Sequence, residues 1–207
     1  MTVDRHIELQ PTDDTTRIIL VRHGATEWNA RDVYQGWEDI PLDTTGLAQA
    51  QALAELLASV EIDAAYTSPL VRARETARIV LGGRGVMPLV VRDLRELSYG
   101  RLTGMTPAER RVGYASLEDR WLADPWSVEF PDGESLDALA ARVLPMWKRI
   151  AAAHVGETVL VSAHGHVNRV VLLHARNMSP DQFWSIEQSN GSAEWVEYAP
   201  AAREGVV

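Results

Sequence analysis

Two short apolar runs, RIILVR at 17–22 and ETVLVS at 157–162, each lead within a residue or two into histidine followed by glycine. Runs this short and this continuously apolar are expected where a strand is covered on both faces, as in a parallel sheet. Parallel strands cannot be joined by a tight hairpin, so the intervening chain must supply crossover helices. LDTTGLAQAQALAELLASV meets that need: Asp43, Thr44 and Thr45 are N-cap candidates ahead of Leu47, Ala50, Leu53, Ala54 and Leu57 at helical spacing.

IDAAYTS reads as a second strand cut off by Pro69, and PLVRARETARIVLGG as a helix with proline in its first turn and glycines just past its end. MPLVV is a third strand candidate. GESLDALAARVLPMWKRIAAAH is helical from about Glu134, with Pro145 expected to kink or break it. HVNRVVLLHARNM forms a helix leading away from the second histidine, and SAEWVEY alternates enough to be a last strand.

Strands alternating with helices predict a three-layer α/β/α fold around a mostly parallel central sheet. The 207 residues, 46% hydrophobic, suit a single domain over 17–207. Between about 93 and 133 the periodicity lapses, which predicts a short loop-rich or helical cap. Residues 1–16 are polar and aperiodic and read as a flexible N-terminal arm, and AAREGVV reads as a frayed tail.

The formal net charge of −9 argues against nucleic acid or an anionic membrane as partner, so any site for an anion must concentrate positive charge locally. The absence of cysteine excludes disulfides, thiolate metal sites and a cysteine nucleophile. MTVDRHIELQPTDDTTR has no apolar h-region, and no run is long enough to span a bilayer, so a cytoplasmic protein is expected.

Ligands of open α/β sheets bind beyond the carboxyl ends of the strands, where RHG, TSPLVR and AHGH all fall. His23 and His164 each precede a glycine, which lets the backbone approach a ligand and turn into a helix whose first N–H groups bind anions. Arg22 and Arg72 can reach the same crevice, and the planar guanidinium fork suits phosphate oxygens. Taken singly, each residue has an ordinary role: a satisfied histidine at a strand end, an arginine on a helix surface. The combination at matching strand ends points to an anion site.

LVRHGATEWN, YTSPLVRARETA, LRELSYGRLTG, FPDGES and VSAHGHVNRV occur in the order seen in the histidine phosphatase superfamily, and the chain resembles its phosphoglycerate mutase-like branch from Ile18 to about Tyr198. The resemblance implies that His23 is the nucleophile that becomes a phosphohistidine. Arg22, Arg72 and His164 would surround the transferring group, with His164 protonated and His23 neutral, its other nitrogen held by a loop carbonyl. Asn29, Gln35 and Gly36 match phosphate or substrate contacts, and Gly165 could add a backbone N–H. Glu96 matches the acid that protonates the leaving oxygen, which calls for a pKa nearer neutrality than that of a free glutamate. On its own it would read as a solvated loop carboxylate.

Thr26 either binds phosphate or caps the helix after RHG. Glu134 and Ser135 read as helix caps, and His166 as a residue behind the site or on the surface. Trp28, Trp37, Trp121 and Trp126 are candidates for a pocket mouth, or for plain packing.

LSYGRLTGMTPAE looks close to the mutase form of this loop. The segment RRVGYASLEDRWLADPWSVEFPDGES is nonetheless short where mutases of the family carry a longer insertion with a basic pair, and Arg110 and Arg111 come early for that pair. Glu118, Asp119, Asp124, Glu129 and Asp132 would also disfavour a bisphosphorylated intermediate. The expected activity is therefore a phosphoric monoester hydrolase of the histidine acid phosphatase type, acting on small anionic phosphoesters without metal or cofactor, with phosphoglycerate mutase as the alternative. A homodimer is compatible with the sequence. Two other classes stay open: a metal-dependent hydrolase using His23, His164 and His166, which neighbouring arginines oppose, and a non-catalytic phosphate-binding protein.

Overall fold

The computed structural model describes residues 14–199. Residues 1–13 of the expected arm and the whole AAREGVV tail lie outside the described residues. The arm's last residue, Thr16, is instead the first of strand β1 (Thr16–Arg22), fully buried, with Oγ1 donating to Ala151 O at 2.6 Å.

The order continues with α1 (Glu27–Ala30), α2 (Thr44–Leu56), β2 (Ala64–Thr67), α3 (Val71–Val80) and β3 (Leu89–Val90). It ends with α4 (Pro107–Ala123), α5 (Leu136–Ala153), β4 (Thr158–Ala163), α6 (Gly165–Ala175) and β5 (Ala193–Tyr198). The sheet order is β3-β2-β4-β1-β5, parallel throughout except for β5, which runs antiparallel to β1. Alternate residues of the central strands enter two cores. Ile18, Leu20, Val159 and Val161 join α5 and α6 on one face, while Ile19, Val21, Ala65 and Leu160 join α2 and α3 on the other. That is why the strands read as unbroken apolar runs, each fully buried aliphatic side chain contributing about 1.5–3 kcal/mol.

Several sequence expectations meet local exceptions. Asp43 caps α2 as expected, its side chain accepting from Gly46 N at 2.8 Å. Pro69, however, precedes the N-cap Leu70 of α3 and does not sit in its first turn. MPLVV contributes only Leu89 and Val90, both exposed at the sheet edge. α5 runs unbroken through Pro145, whose position and that of Ala141, four residues earlier, are exposed, so water can take the carbonyl left without a helical partner.

The cap is more helical than its sequence pattern suggests. α4 spans 17 residues, with non-helical backbone only at Tyr114. It starts with a capping box, Thr106 and Glu109 exchanging bonds around Pro107. Its buried residues are Arg110, Glu118 and Trp121. Two of these three are charged, so no apolar stripe marks the helix.

No helix among the described residues is long and apolar enough to cross a membrane.

Candidate active site

Parallel register brings the three polar strand ends together. Arg22 lies opposite Ala163, and Thr67 opposite Ser162, so the next residues, His23, Ser68 and His164, emerge at one edge. The pairing continues past the strands, with His23 N donating to Ala163 O at 3.1 Å and Ser68 N to Ser162 O at 3.0 Å. His23 and His164 meet edge to face, ring centroids 5.1 Å apart.

Gly24 then makes the turn, for a different reason from the one expected. Its backbone lies against α2: a Cβ on Gly24 would stand 2.3 Å from Gly46 O, and one on Gly46 would stand 2.0 Å from Ala25 O. The two glycines let the RHG turn rest on the start of a helix, which fixes where His23 sits.

His23 Nδ1 lies 2.7 Å from Gly24 O, a bond that places the ring hydrogen on Nδ1 and leaves Nε2 with its lone pair. Burial, Arg72 and Arg22 hold the imidazole well below its ordinary pKa, so it is neutral at physiological pH. His164 is fully buried, its Nε2 2.8 Å from Ser68 Oγ. Ser68 Oγ accepts from Leu70 N at 3.3 Å and can donate its own proton to Nε2, the arrangement in which the histidine hydrogen sits on Nδ1. That Nδ1 is buried without a hydrogen-bond partner among the described residues. Burial, Arg72 and His23 push His164 well below the usual histidine value, which corrects the expectation of an imidazolium: it offers an N–H as a neutral donor.

Positive charge comes from the arginines. Arg72 is 1% exposed and anchored by Nη1 to Glu38 O at 2.7 Å and by Nη2 to Gly36 O at 2.8 Å. Burial pulls its pKa down to about 10, so it stays cationic at neutral pH. Arg22 Nη1 donates to Gln188 O, and the Nε atoms of both arginines are buried without partners among the described residues. Arg22 lies over the start of α6, where a Cβ on Gly165 would be 3.4 Å from its Nε.

A cleft of about 460 Å³ opens above this floor, and Arg22, His23, Asn29, Gln35, Gly36, Arg72, Glu96 and Gly165 all line it. Thr26 does not. It is buried and caps α1, Oγ1 accepting from Asn29 N at 3.3 Å while Asn29 Oδ1 accepts from Thr26 N at 3.1 Å. Ser135 likewise caps α5, accepting from Ala138 N at 3.1 Å. Glu134 is no cap. It pairs with Arg142, Nε to Oε1 at 2.8 Å and Nη2 to Oε2 at 2.9 Å, and accepts from Ser98 N at 2.9 Å.

The same Arg142 donates to the carbonyls of Asp93, Arg95 and Glu96, while Trp37 Nε1 donates to Glu96 O at 2.7 Å. The loop carrying Glu96 is thus clamped from α5. The Glu96 carboxylate accepts from Leu97 N at 2.8 Å and lies 3.3 Å from His166 Nδ1. Burial alone would raise its pKa, but His166, His164 and the Leu97 N–H together hold it well below the ordinary carboxylate range. The near-neutral value expected from sequence is therefore overturned.

His166, which the sequence places behind the site or on the surface, lines the cleft, and so does Arg169. They lie three residues apart on α6, with Gly165 one turn before Arg169, a spacing that places all three along one helix face and was the available signal. Of the expected tryptophans only Trp121 lines the cleft, joined by Trp184; Trp37 instead holds the Glu96 loop, and Trp126 Nε1 donates to Pro180 O at 3.0 Å.

The acids of the cap are largely matched. Glu118 pairs with Arg110, Asp119 with Arg111, and Asp132 with Arg101, and only Glu118 of the five lines the cleft. They weigh less against a second phosphate than their number suggests. Among the described residues no group of three or more His, Asp and Glu is arranged to hold a metal ion.

The chain is 36% identical over 181 residues to a 2,3-bisphosphoglycerate-dependent phosphoglycerate mutase of Brucella anthropi, covering 84% of this chain and 88% of that protein. Among solved structures it is similar to YhfR of Bacillus stearothermophilus (TM-score 0.83, 32% identity, 93% and 98% of the two chains covered). It is also similar to an alpha-ribazole phosphatase from Shigella flexneri (TM-score 0.78, 28% identity, 87% and 89% covered). The model of the histidine phosphatase superfamily (branch 1) matches residues 18–206, and the chain, with its two strand-end histidines over a mostly parallel sheet, belongs to that superfamily of phosphatases and mutases.

Proposed function

We propose that the protein is a phosphomonoesterase that hydrolyses small phosphorylated metabolites through a phosphohistidine on His23. The observation that carries this reading is the setting of His23: its Nδ1 is held by Gly24 O at 2.7 Å, which leaves Nε2 free to attack, and its burial, with fully buried Arg72 and half-buried Arg22 beside it, keeps the ring neutral. Attack by Nε2 on phosphorus, with Arg22, Arg72 and the His164 Nδ1–H on the equatorial oxygens, is the charge-neutralising arrangement that phosphoryl transfer requires. Glu96 stands beside His166 and Arg22 in the cleft and takes the role of proton donor to the leaving oxygen, then of base toward the water that attacks the phosphohistidine.

Phosphoglycerate mutase activity is the second reading, favoured by the Brucella relative and by Arg110 and Arg111 in the cleft wall. Against it, Arg110 is occupied: Nε bonds Glu118 at 2.9 Å, Nη2 bonds Asp32 at 3.1 Å and Nη1 bonds Asp32 O at 2.7 Å. Arg111 is held by Asp119. A guanidinium so engaged has little charge left for a substrate carboxylate.

A panel of phosphoesters assayed for phosphate release, with 3-phosphoglycerate isomerisation followed in parallel, separates the two. Phosphate release from several esters with little isomerisation is expected. Isomerisation outpacing release would establish the mutase instead.

A further inference from the structure

An acid that is ionised cannot donate. Glu96 is held as a carboxylate by its surroundings, yet the reaction proposed above needs a proton on the leaving oxygen. The source must therefore lie against Glu96. His166 Nδ1 is 3.3 Å from Glu96 Oε2, and the His166 N–H, in the first turn of α6, is 3.4 Å from the same oxygen.

His166 is also built in. Its ring stacks on Phe183 (5.8 Å, 15°) and lies against Trp121 and Trp184, while Tyr99 Oη is 3.4 Å from Nδ1. Its side chain is 12% exposed, and the residue borders the cleft. Nε2 has no hydrogen-bond partner among the described residues, and the residue lines the cleft.

We propose that His166 and Glu96 form a one-proton dyad in which His166 stores the proton that Glu96 delivers. The proposal rests on the phosphohistidine reading. When a phosphoester enters, its negative oxygens disfavour the neighbouring carboxylate, and the proton on His166 Nδ1 passes to Glu96. As His23 Nε2 bonds to phosphorus and the P–O ester bond breaks, Glu96 gives that proton to the leaving oxygen. Water then attacks phosphorus, the P–N bond to His23 breaks, and Glu96 takes a proton from the water and returns it to His166. The sum is ester plus water to alcohol plus phosphate.

His166 acts through Glu96 and is a positioning residue that also holds its proton. The other charged or titratable groups that influence Glu96 are His164, Arg22, Arg72, Arg169, His23 and Tyr99. The arginines keep a lone carboxylate ionised, and among the described residues only His166 places a ring nitrogen at contact distance, 3.3 Å from Oε2.

The test uses the full chain with His166→Gln and with His166→Phe, the second keeping a ring among Phe183, Trp121 and Trp184. Turnover of glycerol 2-phosphate, an alkyl ester with a basic leaving oxygen, should fall by about 10–100-fold. Turnover of 4-nitrophenyl phosphate, whose leaving group needs no proton, should stay within about 3-fold. The alkaline limb of the alkyl-ester pH profile should move to lower pH, because the carboxylate alone holds the proton less tightly than the pair does. Equal losses on both esters, no loss on either, or an unmoved limb would overturn the dyad while leaving the hydrolase reading intact. A wild-type protein inert toward both esters would instead break the hydrolase reading and the dyad with it.

Discussion

His23 and His164 emerge at the ends of adjacent parallel strands, His23 lining the cleft and His164 buried beside it, whereas Glu118, Trp121 and Trp184 reach the cleft from α4 and the 3-10 turn Pro180–Ser185. The floor is held by main chain. Gly24 O, Gly36 O, Glu38 O and Gln188 O fix His23, Arg72 and Arg22, and the spacing follows from strand register. The outer wall depends on one side chain, Arg110, which bonds the carbonyls of Asp32 and Met105 as well as carboxylates. Arg110 ties Asp32 to Glu118, packs on the Tyr34 ring at 3.8 Å, and Tyr34 Oη donates to Glu118 at 3.0 Å. A carbonyl is present whatever the local residue type, so the floor tolerates sequence change around its anchors, while the wall changes shape with single substitutions. This division suits a superfamily in which one phosphoryl-transfer floor serves different leaving groups.

The largest effect that can break the comparison is at the floor. His23→Ala should lower phosphate release by on the order of 10⁴-fold or more, since removing a nucleophile removes the whole covalent route. Circular dichroism should stay unchanged, and acid-labile, base-stable labelling from a radioactive phosphodonor should vanish. Most of the activity surviving in His23→Ala would remove the proposed chemistry.

Much of that floor was legible in the sequence, because apolar runs covered on both faces can be recognised from one strand at a time, and the residue after each run must emerge at the sheet edge. Arg22, His23, Arg72 and His164 were readable for this reason. Their protonation was not, since neutrality of His164 depends first on its burial in the folded chain and then on Arg72 and His23, which are far apart in the sequence. The sequence leaves the cap either loop-rich or helical, without bounds for α4, because the buried face of that helix carries Arg110 and Glu118 in place of an apolar stripe. Its capping box, T-P-A-E at 106–109, was the overlooked signal. Arg142 was invisible in the same way: it sits on an otherwise ordinary amphipathic helix, and its five acceptors lie 8 to 49 residues away.

Arg142 holds the loop that carries Glu96, and its removal should produce the second-largest effect. Arg142→Met leaves Glu134 partly buried without its cation and frees three carbonyls of the Glu96 loop. A loss of about 3 kcal/mol in urea unfolding is expected for breaking a largely buried pair. Alkyl-ester turnover should drop further than aryl-ester turnover, because Glu96 is displaced while His23 keeps its anchors. If the two esters fall together, the clamp supports the whole fold and does not specifically position Glu96.

The smallest expected effect sharpens the contrast through pH. His23 and His164 have folded-state pKa values well below their unfolded value because burial and arginines oppose the imidazolium. In the unfolded chain they bind protons near pH 6.5, while in the native state they stay neutral until far lower pH. Between those limits the unfolded state holds more protons, so stability is complete above about pH 6.5 and falls as pH drops, by at most about 1.4 kcal/mol per pH unit for each ring. Glu96, with its folded pKa depressed, adds stability above its unfolded value that is lost only in stronger acid. The exposed wall pairs Arg111–Asp119 and Arg101–Asp132 should contribute little to this slope and weaken with salt instead. Urea midpoints measured from pH 7 to 5 should therefore fall less steeply in His164→Gln than in wild type, and the Asp119→Ala slope should match wild type. Identical slopes for wild type and His164→Gln would mean that His164 takes up its proton at the same pH in the native floor as in the unfolded chain, and a steeper fall in the variant would mean that it is protonated in the native floor, which would return to it the cation that burial beside Arg72 denies.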